Sequence, residues 1–553
     1  MKILTRHWGV LVVLFISLLP LIDLLHPGLP LTHDGKDHVA RIANFYQALS
    51  EGVIFPRWGA NLNWGYGHPV LMFLYPLSSY IASAFHLIGF SLTDSVKLVF
   101  ATGFVASGLT MFFWARNQWD NYVGVAAAAL YMYAPYRFVD LYVRGAIGEH
   151  MAFIFPPLIL YFTLEFFKSK SARTDYFYFS LVALSTALLI LAHNAISIMF
   201  FPVICAYICI LSYTRKRVRK LILSFGGLFI GFLLSSFFVL PAFIEGKYTL
   251  RDIVVGDEYK TRFIDPLKLF FSPWNYGITG QFSIQLGFVQ LVGLIMFPFT
   301  LTRLFKSKKK ENALLLMVFL VFFILSLFVM LPHSQFLYDI VTTLKKFQFP
   351  WRFLCLCVFT LALVAAMNLI PLKEKGKKIA LFVGIVLLII FSKDMFKANG
   401  YLDRPDSFYN AIYEGTTDTG ESAPIWSVRF MEKKAAAPIE VIEGVAYVKK
   451  LERRTNYHTY EVNVESDVAR IRENTLYFPG WFVKTASGNQ QIQFQDPANR
   501  GLLTFNLDKG SHVVNVVFKE TKLRKLSDTI SLISALALLL GGLYVFKFKH
   551  DKK

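Results

Sequence analysis

Residues 69–90, PVLMFLYPLSSYIASAFHLIGF, are apolar and long enough to cross a bilayer, and whether they cross decides the side of every later loop. Pro69, Pro76 and a mid-run His86 suit a broken or interfacial helix better than a lipid-exposed crossing. The basic loops agree. With 69–90 held on the outer side, Arg116, the trio Lys168, Lys170 and Arg173, the loops 215–220, 303–310 and 373–378, and the tail 547–553 all fall on the cytoplasmic side. The other apolar runs, 8–25, 95–114, 121–135, 150–167, 176–192, 195–213, 221–240, 285–302, 312–331, 351–370, 379–392 and 528–546, then make twelve crossings with both ends cytoplasmic.

Composition points the same way. Of 553 residues, 55% are hydrophobic and 16% aromatic, so the chain reads as a polytopic α-helical membrane protein rather than a soluble one. The net charge of +20 resides in short loops between apolar runs, where it orients helices; nucleic-acid binding is not the expectation. Cys205, Cys209, Cys355 and Cys357 lie inside apolar runs without metal-site companions and read as packing residues. Lys2 and Arg6 precede a first apolar run with no small-residue cleavage site, as in a retained first helix.

Five polar segments fall outside on this topology: 26–68, 135–150, 241–284, 332–350 and 393–525. The first contains LTHDGKDHVARIANFYQALSEGVIFPRWGANLNWGY, residues 31–66. Asp34, Asp37, His38 and Arg41 stand at i, i+3, i+4 and i+7, one face of a helix. Val39, Ile42, Tyr46 and Leu49 make another face, suited to lying flat on a membrane. A plainer reading makes Asp34 a helix cap and pairs Asp37 with Arg41 across one turn. Arg144 and Glu149 in 135–150, His193 and Asn194 at an outer helix end, and Arg352 after QFP can line one outward pocket with Asp34, because charges at such depth need a cavity or a partner. Each has a structural alternative: an Arg144–Glu149 ion pair, a His193–Asn194 helix cap, and interfacial anchoring by Trp351–Arg352, Arg57–Trp58 and Trp64–Tyr66.

The stretch 393–525 changes character. YHTYEVNVES (457–466), GLLTFNLDKG (501–510) and HVVNVVFKE (512–520) alternate with period two between turn residues, which predicts a small antiparallel, sandwich-like β domain. The expected organisation is a membrane domain over 1–392 whose first outer loop, 26–94, is catalytic, the β domain over 393–525, and a last helix with basic tail over 526–553. No internal repeat or phosphate-cradling Gly loop is present, and Gly65-Tyr66-Gly67 reads as a turn.

HDGKDHVARI, FPRWGANLNWGYGHPVLMFLYPLSSY, YRFVDLYVRGAIGEH, LAHN, QFPWRF and LYFPGW together resemble the bacterial multispanning proteins called 6-pyruvoyl-tetrahydropterin-synthase-related, and the YfhO-like proteins. Their historical name implies no pterin chemistry. These in turn resemble the GT-C glycosyltransferase superfamily of integral-membrane enzymes, which implies a GT-C-like fold, a polyprenyl-phosphate-linked sugar as donor, and an acid in the first outer loop. Carried over by position, the superfamily's Asp-x-x-x-His falls on Asp34 and His38, with Asp37 in a spacer position, and the second-loop acid falls on Glu149. Some relatives pair two acids around a divalent metal, so a Mg or Mn site at Asp34 and Glu149 stays open; no other cofactor is implied.

Moving a sugar from a lipid phosphate to an acceptor hydroxyl requires a carboxylate to take the proton and cations to meet the departing phosphate. Asp34 suits the first role, with Asp37 and Glu149 as further catalytic candidates. Arg144 and Arg352 suit the second, and His38, Arg41, His193 and Asn194 complete the substrate-binding set. The expected partners are a polyprenyl-phosphate sugar, membrane lipid, and a glycan, lipid or protein acceptor outside the cell membrane. Two other classes remain open: a lipid or glycan flippase, and a non-catalytic scaffold with a carbohydrate-binding β domain.

Overall fold

The computed structural model describes residues 2–278 and 281–548. The end of the basic tail, 549–553, lies outside the described residues. Helices coincide with all twelve expected crossings. Eight are long and apolar enough to span, from His7–Leu25 near the start to Lys522–Lys547 near the end. Two more are bent: Val218–Leu234 meets Ser236–Tyr248 at 70°, and Phe288–Ile295 meets Phe297–Lys306 at 44°. The remaining two are less suited to span alone: Asn121–Met132 is only 12 residues long, and Glu374–Ser392 opens with three lysines in its first turns.

The decisive stretch 69–90 forms no single helix of spanning length. It folds as two short helices, Val70–Phe73 and Leu77–Leu87, broken at Leu74 and Pro76. Proline cannot donate to the preceding turn and its ring clashes with the carbonyl four residues back, so it begins the second helix instead of continuing the first. Helix α1 (Lys2–Leu18) leads through a 3-10 turn, Leu19–Leu25, and strand β1 (Leu29–Pro30) into helix α2 (Gly35–Ser50). The apolar residues Val39, Ile42 and Phe45 of α2 are buried, as are His38 and Arg41, so α2 is embedded in protein.

After strand β2 (Tyr401–Leu402), which pairs antiparallel with β1, come β3 (Ile439–Glu443), β4 (Ala446–Arg453), β5 (Tyr457–Leu476), β6 (Trp481–Thr485), β7 (Gly488–Gln490) and β8 (Leu502–Phe518). These six form one antiparallel sheet in the order β3-β5-β8-β6-β7, with β4 also on β5. The expected sandwich is thus a single sheet. The 20-residue β5 shifts register against β8 between Val464 and Val468, so its first half pairs with β4 and its second with β3. Its alternation buries Tyr460, Val462, Val464, Ala469 and Ile471, the periodicity seen in the sequence.

Two expectations about the surface are corrected. Arg57 and Trp58 are not interfacial anchors: Trp58 is 1% exposed and packs edge-on to Trp481, ring centroids 5.4 Å apart, while Arg57 pairs with Glu520 at 2.9 Å and Asp528 at 2.7 Å. Trp64 and Tyr66 also pack against the sheet's core. The 400–431 stretch, in turn, is not part of the sheet. It runs as a strap across the loop between α1 and the Leu77–Leu87 helix, with main-chain bonds from Asn63 to Gly415, from Trp64 to Tyr413 and from Tyr413 to Asn61.

Candidate active site

Three segments converge on α2. His33 and Asp34 donate their main-chain N–H groups to the carbonyls of Val143 and Arg144, each at 3.0 Å, which clips the start of α2 to the 139–149 segment. Two glycines make this approach possible. Gly145 has φ +67°, and a Cβ there would lie 2.3 Å from Thr32 Oγ1; a Cβ on Gly148 would lie 1.9 Å from the Tyr75 ring. The motif RGAIGEH is therefore read by contact as well as by charge.

Glu149 lies at the centre of the buried charges. It is 1% exposed and accepts from Arg144 through both oxygens at 2.9 Å, from Arg352 Nε at 2.8 Å, from the Tyr136 hydroxyl at 2.9 Å and from the Cys355 thiol at 3.6 Å. His193 Nε2 stands 3.9 Å away. Arg144 also reaches Asp140 at 2.6 Å and lies over the Trp351 ring, 4.6 Å from its centroid. A carboxylate enclosed by two guanidinium groups holds them in place and has no lone pair left for a proton or a metal. The expected Arg144–Glu149 ion pair exists, and both Glu149 oxygens are engaged by guanidinium groups. Trp351 is 2% exposed, so the pair Trp351–Arg352 is no interfacial anchor.

Asp34 contrasts with Glu149. It occupies the N-cap position of α2, yet its side chain makes no capping hydrogen bond, which removes the cap explanation. As a residue Asp34 is accessible, although Gly35, His38 and Arg41 beside it are buried. Set among protein atoms, it is pushed by burial up to a pKa of about 6, against the pull of Arg144 and then Arg41; Asp37 and Glu149 face it as like charges and add to the rise. His38 is held well below the ordinary histidine range, first by burial and then by Arg41. Its Nδ1 accepts from Arg41 Nη1 at 3.1 Å, so the neutral ring carries its proton on Nε2.

The expected Asp37–Arg41 pair does not form. Asp37 accepts from the Tyr413 hydroxyl at 2.7 Å, and Arg41 turns to the Thr417 carbonyl and, at 3.3 Å, the Thr417 hydroxyl. His193 does serve as a helix cap, its Nδ1 accepting from the Ile196 main chain, and it stacks on Tyr75 at 4.5 Å. Asn194 is exposed, with its carbonyl oxygen turned to the Ala195 main chain. Arg352 uses Nε for Glu149 and Nη1 for the Phe347 carbonyl, which leaves its second Nη without a protein acceptor among the described residues. Tyr75, Tyr136 and Thr417 were not foreseen, since their positions depend on contacts between segments distant in sequence.

The residues present do not fit a divalent metal. Asp140, Glu149 and Cys355 bring ligand atoms within 4.8 Å of one another, but guanidinium groups already hold both Glu149 oxygens and Asp140 Oδ1. For the proposed pair of Asp34 and Glu149, the same Arg144 faces both acids. A site lined by fixed cations repels a second positive charge.

The solved arabinofuranosyltransferase AftD from Mycobacteria is similar to this chain at 14% identity and a TM-score of 0.45, over 72% of this chain and 28% of that one. The apo oligosaccharyltransferase of Archaeoglobus fulgidus is similar at 12% identity and a TM-score of 0.42, over 76% of this chain and 61% of that one. Likeness at this level says nothing about reaction or substrate. In sequence, an uncharacterized protein of Lactococcus lactis subsp. cremoris is 24% identical over 338 residues, 58% of this chain, and the chain spans 53% of that relative's length. Residues 71–399 match the family described as the 6-pyruvoyl-tetrahydropterin synthase related domain, a membrane protein, and the chain belongs to that membrane-protein family.

Proposed function

We propose that the chain is an integral-membrane glycosyltransferase that moves a sugar from a polyprenyl-phosphate donor to an acceptor hydroxyl on the extracytoplasmic side. The observation that carries this reading is Asp34: an acid at the start of α2 whose side chain has no hydrogen-bonded partner among the described residues, raised toward neutrality and set beside cations held in place by Glu149. Asp34 takes the acceptor's proton as the acceptor oxygen attacks the anomeric carbon. The bond from that carbon to the phosphate breaks, and the lipid phosphate leaves with the electron pair. Arg352, through its unpaired Nη, meets the charge that develops there. Asp37, engaged with Tyr413, and Glu149, enclosed by arginines, hold the geometry. No metal step is part of the reaction.

A flippase reading gains little from the two bent helix pairs, because the one acid they contain, Glu245, is already taken by Thr521 and Arg524. The test is to incubate the purified full-length chain with a panel of polyprenyl-phosphate sugars and acceptor glycans and to measure released lipid phosphate. Release by the unaltered chain that disappears in Asp34→Asn supports the reading. Intact donors throughout, from well-folded protein, or equal release by Asp34→Asn, would sink it.

A further inference from the structure

Arg41 is held from outside the membrane helices. It is 7% exposed, and Thr417 in the strap takes its Nη2 through the main-chain carbonyl and its Nε through the hydroxyl, while His38 takes Nη1. Every guanidinium nitrogen is thus assigned, two of the three to one residue some 376 positions away. Thr417 adopts φ +65°, a conformation that β-branched side chains rarely take. That backbone is kept in place by its neighbours. Asp418 stands 3.3 Å from His68 Nε2, both side chains 2% exposed or less, and caps the N–H groups of Gly420 and Ser422. On the other side Tyr413 bonds Asp37, and Asn63 bonds Gly415. The strap is anchored at both ends and strained where it grips Arg41.

We propose that residues 413–422 form a fixed wall of the active site, in which Thr417 is a positioning residue that holds the Arg41 guanidinium against His38 and Asp34. The proposal rests on the reading of Asp34 as the reactive carboxylate. The segment after the last helix but one therefore does more than tether the sheet: it sets the electrostatic surroundings of a residue near the start of the chain. The charged groups facing Asp34 are Arg144 from the 139–149 segment, Arg41 and Asp37 from α2, and Glu149. Of these, Arg144 is secured by Glu149 and Asp140, whereas Arg41 forms no ion pair among the described residues and is held by the strap, whose Glu421 is the acid facing it.

The test reads Asp34 directly. A water-soluble carbodiimide modifies carboxyl groups in their protonated form, so labelling of Asp34 across a pH series of the purified full-length protein, followed by mass spectrometry, reports its titration midpoint. Asp34→Asn supplies the blank. Arg41→Gln removes one facing cation and should move the midpoint up by on the order of 1 pH unit. Thr417→Val, which keeps shape and β-branching but loses the hydroxyl, should move it in the same direction, and Thr417→Ser should restore it. In Arg41→Gln/Thr417→Val the second change should add nothing. An unmoved midpoint in Thr417→Val, or a full additional shift in the double variant, overturns the proposal. Should Thr417→Val fail to fold, Asp418→Asn, which releases the wall from His68, replaces it with the same expectations. No sugar transfer enters this measurement, so its failure is distinguishable from failure of the transferase reading.

Discussion

Asp34 and Glu149 are both acids beside Arg144, in contrasting surroundings. The Asp34 side chain has no hydrogen-bond partner among the described residues; that of Glu149 is enclosed by two guanidinium groups, a phenol and a thiol. Asp34→Asn keeps size but removes the proton acceptor, so turnover should fall by roughly 10²–10⁴-fold with protein yield and thermal midpoint unchanged. Because the base works only when ionised, and its pKa lies at about 6, kcat/KM should be full well above that pH and fall away as pH drops through it. A flat profile between pH 5 and 8 would remove Asp34 from the step. Asp37→Asn retains an oxygen to accept from Tyr413, and activity should change little. Glu149→Gln leaves buried guanidinium groups without their counter-charge and should cost roughly 3–5 kcal/mol of stability, read as a lower unfolding midpoint and poorer yield. An unchanged midpoint with abolished transfer would instead place Glu149 in the chemistry.

At the level of elements, the broken helices of 69–90 and the glycines of 145–148 decide whether a site exists. Had Leu74 and Pro76 not interrupted the apolar run, Tyr75 would sit on a continuous helix instead of at a break, where its ring meets Gly148 and His193. Gly148→Ala drives a methyl into that ring, and overpacking of this kind costs about 1–3 kcal/mol. The expected outcome is a lower unfolding midpoint together with weakened transfer, since the displaced ring lies on the same side as Asp34; an unaltered midpoint would mean that the ring swings aside freely. The break itself was legible, because a proline removes a helix donor and crowds the preceding turn locally, although Asn194–Arg215 carries Pro202 within it. The partners of α2 were not. Spacing of i and i+4 puts Asp37 within reach of Arg41, but reach is no preference when Tyr413 and Thr417 offer buried alternatives that helix periodicity cannot register.

For the whole molecule, the twelve-crossing arrangement predicts that reporter or cysteine fusions place residue 140 and the sheet on the outer side and the loops 215–220 and 306–310 in the cytoplasm. Residue 140 in the cytoplasm would scatter the proposed site across both faces. The sheet packs on the loop that contains Asp34 through Trp58 on Trp481, and Arg57 of the same loop pairs with Glu520 and Asp528 at the start of the last helix.

What the sequence determined alone was whatever depends on neighbours along the chain: apolar runs of spanning length, basic loops between them, the proline break at 76, the alternating strands of β5 and β8, and the acid at the start of α2. Each is a periodic or local property, and solvent preference enforces it whatever the tertiary arrangement. Only the tertiary structure decided which acid is free. Asp34, Asp37, Asp140 and Glu149 are all acids in the sequence; Arg144 holds Asp140 from within their shared segment, whereas Tyr413 on Asp37 and Arg352 on Glu149 arrive from distant ones. The single sheet in place of a sandwich and the strap over Arg41 have the same origin, for a strand's partners and a loop's contacts are chosen by burial of surfaces that come together only when the chain has folded.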